Sequence, residues 1–99
     1  MVEVTDVRVV PIRGEGPTRA MASVTLGEEF VVHGIRVIEG EKGLFVTMPQ
    51  RKDGEGNYRD IAHPVTSDMR SLLAHAVLEE YERAIERGDK PREKGARQR

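Results

Sequence analysis

Residues 19–26 alternate between two sets of side chains, and this alternation constrains the fold more than any other feature of the chain. One set is Ala20, Ala22, Val24 and Leu26. A period of two residues is typical of a half-buried β-strand. Gly27-Glu28 follows at once and predicts a tight turn into a third strand, Phe30–Ile38. We therefore expect a β-hairpin here, and with it an antiparallel sheet.

Three further segments have the composition of strands. Val2–Ile12 is rich in valine, but its phase slips near Thr5-Asp6, which predicts a β-bulge. Leu44–Met48 and Tyr58–Ala62 lie on either side of a turn that contains two glycines. Together with the hairpin, these segments predict four to five strands.

The last apolar pattern is helical. Apolar residues recur at three- and four-residue spacing from near Ser67 to Ile85. Thr66, Ser67 and Asp68 are N-cap candidates, and Gly88 is a C-cap candidate. One long helix therefore follows the strands.

These elements predict an α+β fold in which one C-terminal helix packs on an antiparallel sheet of four to five strands. A single helix covers only one face of such a sheet, and the sheet keeps open edges. We therefore expect a homodimer, formed through an edge strand or through the uncovered face. Residues 1–88 form one domain. Residues 89–99 carry five basic and two acidic side chains, a net charge of +3, and are expected to be a basic disordered tail.

The composition excludes several classes of protein. The 99 residues contain no Cys, so disulfides, thiolate metal sites and Cys nucleophiles are excluded. The chain has no apolar run long enough to span a membrane and does not open on a signal-peptide pattern, which makes the cytoplasm the default location. Residues 1–88 have a net charge of −4. Any binding to nucleic acid must therefore come from a local patch.

One local basic patch precedes the helix. Arg51 and Lys52 stand at the mouth of the predicted turn, and Arg59 and Arg70 are expected near the same surface. A helix N-terminus adds unpaired N–H groups and a partial positive charge, and both features suit phosphate. The alternative is that these cations are solvated loop residues that keep the hairpin soluble.

No residue pattern indicates catalysis or a cofactor. The spacings of His33, His63 and His75 match no common zinc pattern, and each is better explained by a structural role. Ser67 is better explained as a helix cap than as a nucleophile. We therefore predict no catalytic residue, no metal ligand, no cofactor and no small-molecule substrate.

Several ordered stretches of the chain together resemble one known family. They are Val4–Arg8, Ala22–Leu26, Phe30–Ile38, Gly43–Pro49, Arg59–Pro64 and Ser67–Arg70. In these stretches, which extend over roughly residues 3–83, the sequence is similar to the SpoVG family of stage V sporulation proteins.

The resemblance implies a small bacterial cytoplasmic homodimer with no enzyme activity. Family members oppose formation of the asymmetric septum during sporulation, and several are site-selective DNA-binding proteins, while some bind RNA. The family's contacts with nucleic acid centre on the loop after the fourth strand and on the first turn of the helix. By this resemblance Arg51, Lys52, Arg59 and Arg70 are the candidate nucleic-acid-binding residues.

The chain departs from the family pattern at a few of these positions. Arg51-Lys52 keeps two adjacent cations but in the opposite order to the usual Lys-Arg. Gly54 stands where a proline is usual in the turn, and Gly34 replaces a usual aspartate.

Two functions of different classes are consistent with the sequence. The first is a nucleic-acid-binding regulatory dimer. The second is a protein-interaction module of the cell-division or sporulation machinery that does not itself bind nucleic acid. A small enzyme is the weakest alternative, since the chain has no glycine motif that would cradle a phosphate.

Overall fold

A computed structural model describes residues 2–14 and 16–93 of the chain, which form an α+β fold. Four antiparallel strands follow one another along the chain: β1 (Val4–Arg13), β2 (Thr18–Leu26), β3 (Phe30–Gly40) and β4 (Gly43–Thr47). Each pairs with the next, and α1 (Ser67–Arg87) packs on one face of the sheet. Of the predicted antiparallel sheet of four to five strands, four strands are thereby confirmed, as is the C-terminal helix.

The register of the sheet places the apolar side chains on the helix side. Ala22 of β2 lies between Val9 of β1 and Ile35 of β3, and Val37 lies opposite both Ala20 and Val46. These side chains form the core with Leu73 and Val77 of α1. Val24, Ile35, Val37 and Val77 are the largest side chains that are fully buried. The core is therefore a layer of aliphatic side chains between the sheet and the helix.

Two of the three irregularities in the register of the sheet set which side chains of β1 and β3 face the helix. The register of β1 against β2 shifts between Val4 and Asp6, which confirms the bulge expected near Thr5-Asp6. A second shift lies in β3, where Val32 pairs with Val24 but Ile35 pairs with Ala22. Three residues of β3 therefore span two of β2, so Val32 and Ile35 both face α1.

Gly34 is the residue that makes the β3 bulge possible. Its φ is +84°, and a Cβ atom placed there would lie 3.1 Å from the Cβ of Pro49. Both the backbone conformation and the close approach of Pro49 favour glycine at this position. The bulge thus brings β3 against the start of the segment that follows β4.

Both ends of α1 have the caps that the sequence predicts. The hydroxyl of Thr66 accepts a hydrogen bond from the N–H of Met69 at 3.1 Å. Gly88 has a φ of 76°, and its N–H donates to the carbonyls of Ala84 and Ile85. Within the described residues, no helix has both the length and the apolar character needed to cross a bilayer.

The strand after the glycine turn does not join the main sheet. β5 (Gln50–Lys52) and β6 (Tyr58–Asp60) form a separate two-stranded ribbon. The fifth strand of the main sheet is instead β7 (Arg92–Glu93), which pairs in parallel with Ile12 and Arg13 of β1. The strand predicted at 58–62 is therefore right in kind but belongs to a different sheet.

The C-terminal segment is only partly described. β7 lies within the predicted basic tail, and residues 94–99 lie outside the described residues. The domain boundary at residue 88 and the disorder of the tail as a whole stay predictions. The homodimer also stays a prediction. The face of the sheet turned away from α1 carries Met21, Arg36 and Thr47 side by side, since these residues pair across β2, β3 and β4.

Candidate nucleic-acid interface

The β5–β6 ribbon carries three of the four candidate residues. Gln50 pairs with Asp60, Arg51 with Arg59, and Lys52 with Tyr58. All six side chains are exposed. At the base of the ribbon the N–H of Ile61 donates to the carbonyl of Pro49 at 2.7 Å, which closes the hairpin where it leaves the body.

Asp53 organises the turn at the tip of the ribbon. Its Oδ1 accepts hydrogen bonds from the backbone N–H groups of Glu55 and Asn57, at 2.8 and 3.0 Å. Its Oδ2 accepts from the Nε of Arg59 at 2.9 Å. The ion pair with Arg59, followed by these backbone N–H groups, holds the pKa of Asp53 below its ordinary value. This one carboxylate therefore fixes the turn and partly compensates the charge of Arg59.

The two faces of the ribbon differ in charge. Residues directly opposite each other in an antiparallel pair project from the same face, so Arg51 and Arg59 share one face. Like charges in directly opposite positions destabilise a strand pair, and Asp53 offsets only the charge of Arg59. An exposed face with two arginines and one carboxylate is suited to a further anion such as a phosphate.

The other face of the ribbon combines a cation with an aromatic ring. The Nζ of Lys52 lies 5.6 Å from the centre of the Tyr58 ring, within the range of a cation–π contact. On the same face the side-chain amide of Gln50 donates to Asp60 at 2.8 Å. This face has one apolar group large enough to be buried against a partner, the ring of Tyr58.

The structure places Arg51 and Lys52 in a short strand that precedes the turn. Both residues lie within β5, and neighbouring residues of a strand project from opposite faces. The neighbour of Arg51 is Arg59, and the neighbour of Lys52 is Tyr58. The turn starts only at Asp53, whose side chain takes up the backbone N–H groups of the tip.

Arg70 lies on a different element from the other three candidates. It stands in the first turn of α1, and its Nη2 donates to the carbonyl of Pro64 at 3.2 Å. Among the described residues, no hydrogen bond or ion pair joins Arg70 to the ribbon. Asp68 in the same helical turn offsets part of the positive potential at this helix end.

Two of the three histidines have local partners. His63 Nδ1 lies 2.9 Å from the carbonyl oxygen of Pro64, and His75 Nε2 lies 3.4 Å from Glu79 one helical turn away. Within residues 2–14 and 16–93, no group of three or more acidic or histidine side chains is arranged to hold a metal ion.

Sequence reasoning misses the roles of Asp53 and Tyr58. In the sequence Asp53 is simply a negative charge beside the basic patch, although Asp followed by glycines and Asn is a known turn pattern. Tyr58 does not stand out, because the chain has too few aromatic residues to suggest a stacking surface. The pairing of Tyr58 with Lys52 depends on strand register, which the sequence of so short a ribbon does not determine.

The comparisons with known proteins agree on one family. The sequence profile of the SpoVG family matches residues 2–83. The candidate septation protein SpoVG of Caldanaerobacter subterraneus is 56% identical over 84 residues, which cover 85% of this chain and 92% of the relative. Its counterpart in Lachnospira eligens is 58% identical over 81 residues, or 82% of this chain and 92% of the relative.

A third relative extends the likeness to another genus. The candidate septation protein SpoVG of Oceanobacillus iheyensis is 56% identical over 84 residues, which cover 85% of this chain and 88% of that protein. None of these descriptions names a catalytic activity.

Proposed function

This chain belongs to the SpoVG family, and we propose that it is a homodimeric regulator that opposes asymmetric septation during sporulation and binds nucleic acid. Site-selective binding of DNA is the activity that the ribbon supports best. The observation that carries this proposal is the direct pairing of Arg51 with Arg59 on one exposed face of the ribbon. The protein would act in the cytoplasm without a cofactor.

The shape of the ribbon favours duplex DNA over duplex RNA as the ligand. The major groove of B-form DNA admits a two-stranded β-ribbon, whereas the major groove of an A-form RNA helix is too narrow for side chains to read. Arg51 on β5 and Arg59 on β6 share one face of the ribbon and are exposed. In such a position these cations contact backbone phosphates and hold the ribbon in register.

The charge of the whole chain does not oppose this proposal. The net charge is −1, but two copies of the ribbon in a homodimer present the arginine face twice. Fields of this kind act locally and are screened within about 8–10 Å at physiological salt. We therefore expect moderate affinity with a clear dependence on salt concentration.

The test is a fluorescence-anisotropy titration of the protein against pooled genomic duplex DNA and pooled RNA at two salt concentrations. Arg51→Ala and Arg59→Ala should each weaken binding to all sequences. Removal of one phosphate contact should reduce the slope of log K against log salt by about 0.9 for B-form DNA. Asp53→Asn should act in the opposite direction, because it removes the negative charge from Arg59 while keeping an oxygen acceptor for the turn.

Arg83→Ala is the matched control for the removal of one positive charge. Arg83 is exposed on α1, where it forms ion pairs with Glu79 and Glu80 at 3.6 and 3.7 Å. Its removal should leave the affinity and the salt slope unchanged. Equal effects of Arg51→Ala and Arg83→Ala would contradict the proposed interface.

The second candidate function is a protein-interaction module of the division or sporulation machinery. It is favoured by Val31 and Phe45, two exposed apolar side chains on the sheet face that α1 leaves uncovered. A captured protein would support it if capture survives nuclease treatment and Arg51→Ala but is abolished by Phe45→Ser. Loss of capture on nuclease treatment alone would indicate instead that nucleic acid links the captured protein to this chain.

A further inference from the structure

An apolar groove opens beside the N-terminal end of α1. It lies between the helix, the end of the β2–β3 hairpin and the segment that links β6 to α1, with a volume of about 550 Å³. Phe30, Val32, Met48, Met69 and Leu73 are among the side chains that line it. This groove, which we call the hairpin-end groove, is large enough for several side chains of a partner.

The most exposed large apolar side chains are concentrated at this groove and at the ribbon. Among the described residues the five most exposed large apolar side chains are Val65, Tyr58, Phe30, Ile61 and Val2. Val65, Phe30 and Val2 line the groove, Tyr58 lies on β6, and Ile61 follows β6 directly. Exposed apolar groups gathered in this way mark an interaction surface.

The ribbon itself lacks a core of its own. An isolated two-stranded hairpin is marginally stable in water, and none of the six residues of β5 and β6 is buried. Tyr58 is 68% exposed, although a tyrosine is usually buried by its ring with only its hydroxyl in contact with water. The ribbon therefore gains most by laying its Tyr58 face against an apolar surface.

We infer that the hairpin-end groove is filled by the ribbon of a second copy of this chain, with Tyr58 as the anchor. The exchange is reciprocal, because each copy carries both the groove and the ribbon, as a two-fold interface requires. Met48 and Ala62 line the groove and adjoin in sequence Pro49 and Ile61, whose backbone hydrogen bond closes the base of the ribbon. The groove of each copy thus lies beside the base of its own ribbon. Reciprocal docking therefore places the bases of both ribbons near the two-fold axis, and each ribbon extends from there into the groove of its partner.

Charge complementarity agrees with this occupant. Lys52 shares a ribbon face with Tyr58, and Asp68 is the acidic residue that lines the groove. Glu28 and Glu29 are exposed and immediately precede Phe30 at the same end of the hairpin. Docking of the Tyr58 face would thus place Lys52 of one copy near these carboxylates of the other copy. Arg51 and Arg59 would stay exposed on the opposite face of the ribbon.

This inference rests on the proposed function in one respect, the homodimer, and it gives that dimer an interface. In this arrangement the two faces of the ribbon have different roles. The Tyr58 face holds the dimer together, and the Arg51–Arg59 face stays available to nucleic acid.

Cross-linking between two tagged chains tests the exchange directly, since the natural chain contains no Cys. An Asn57→Cys chain, which is altered at the exposed residue before Tyr58 and keeps the anchor, is mixed with a Val65→Cys chain of different mass, allowed to exchange, and treated with a short bismaleimide. A docked pair has an effective concentration on the order of mM, so at about 10 μM protein the initial rate should exceed the control by about 100-fold. The matched control pairs Asn57→Cys with Ile85→Cys, which is exposed at the other end of α1.

The mass of the protein in solution, measured by light scattering, tests the exchange without cysteine variants. Tyr58→Ala should weaken the dimer about 30-fold or more, as expected for a buried aromatic anchor, and should shift the mass measured by light scattering toward the monomer. Ile85→Ala should leave the mass unchanged.

The outcomes separate the two proposals. A monomer mass for the natural chain overturns both the dimer and the exchange. A dimer mass with equal cross-linking at Val65 and Ile85 overturns the exchange alone. Neither measurement includes nucleic acid, so failure of the DNA-binding proposal would not alter the result expected here.

Discussion

The body of this protein and the β5–β6 ribbon are stabilised by different interactions. In the body, aliphatic side chains of β2 and β3, such as Val24 and Ile35, are fully buried beneath α1. In the ribbon every strand residue is exposed, and the hairpin is held by backbone pairing and by the polar contacts of Asp53. The body therefore depends on burial of apolar area, and the ribbon on hydrogen bonds and charge.

This difference separates stability from binding. Substitutions in the body change the free energy of unfolding, because the truncated side chains belong to a close-packed core. Substitutions on the Arg51–Arg59 face of the ribbon remove groups that water already surrounds, so their effect on unfolding is small. The ribbon can therefore carry charges suited to a ligand without weakening the fold.

The largest expected effect is that of Ile35→Ala. Ile35 is fully buried between the sheet and α1, and its truncation should lower the free energy of unfolding by about 2–5 kcal/mol. Urea denaturation followed by circular dichroism measures this change. Arg51→Ala, in the ribbon, should leave the urea midpoint unchanged.

Ile85→Ala is the matched control, because it makes the same change of side chain at an exposed position. Ile85 is 51% exposed on α1, so its truncation should cost far less than that of Ile35. A decrease in stability in Arg51→Ala comparable to that of Ile35→Ala would show that the ribbon is part of the cooperative core.

A smaller effect is expected at the junction between the ribbon and the body. Thr66 caps α1 through its hydroxyl, and Thr66→Ala should destabilise the protein by about 1 kcal/mol. Thr66→Ser keeps the acceptor and should recover most of that stability. The same urea titration distinguishes the two variants, and equal destabilisation by both would exclude the hydroxyl as the stabilising group.

The body was predictable from the sequence because its patterns are long. The alternation across β2 and the helical spacing from Met69 onward each extend over several periods, and the caps at Thr66 and Gly88 follow from local chemistry. The bulge in β3 was not foreseen. A glycine in a strand suggests a bulge, but the approach of Pro49 to Gly34 arises only when the chain is folded.

The ribbon was predictable only in part. Its candidate cations follow from the sequence and from the family, but a three-residue strand offers too few side chains to determine register. The sequence therefore did not show that Arg51 faces Arg59, or that Lys52 faces Tyr58. The hairpin-end groove was missed for a related reason, since its lining comes from segments far apart in the chain.

The smallest predicted effect is a local response of the ribbon to acid. The ion pair with Arg59 and the backbone hydrogen bonds lower the pKa of Asp53, so its ionised form stabilises the turn. That contribution is complete above the ordinary aspartate pKa of about 4 and disappears as the pH falls through the lowered value. The amide chemical shifts of Glu55 and Asn57 should therefore move in one step below about pH 4, while those of Ile35 and Val37 stay constant. Asp53→Asn should abolish the step. If the amides of the core moved together with those of the turn, the ribbon and the body would be one cooperative unit, and the separation of binding from stability would not hold.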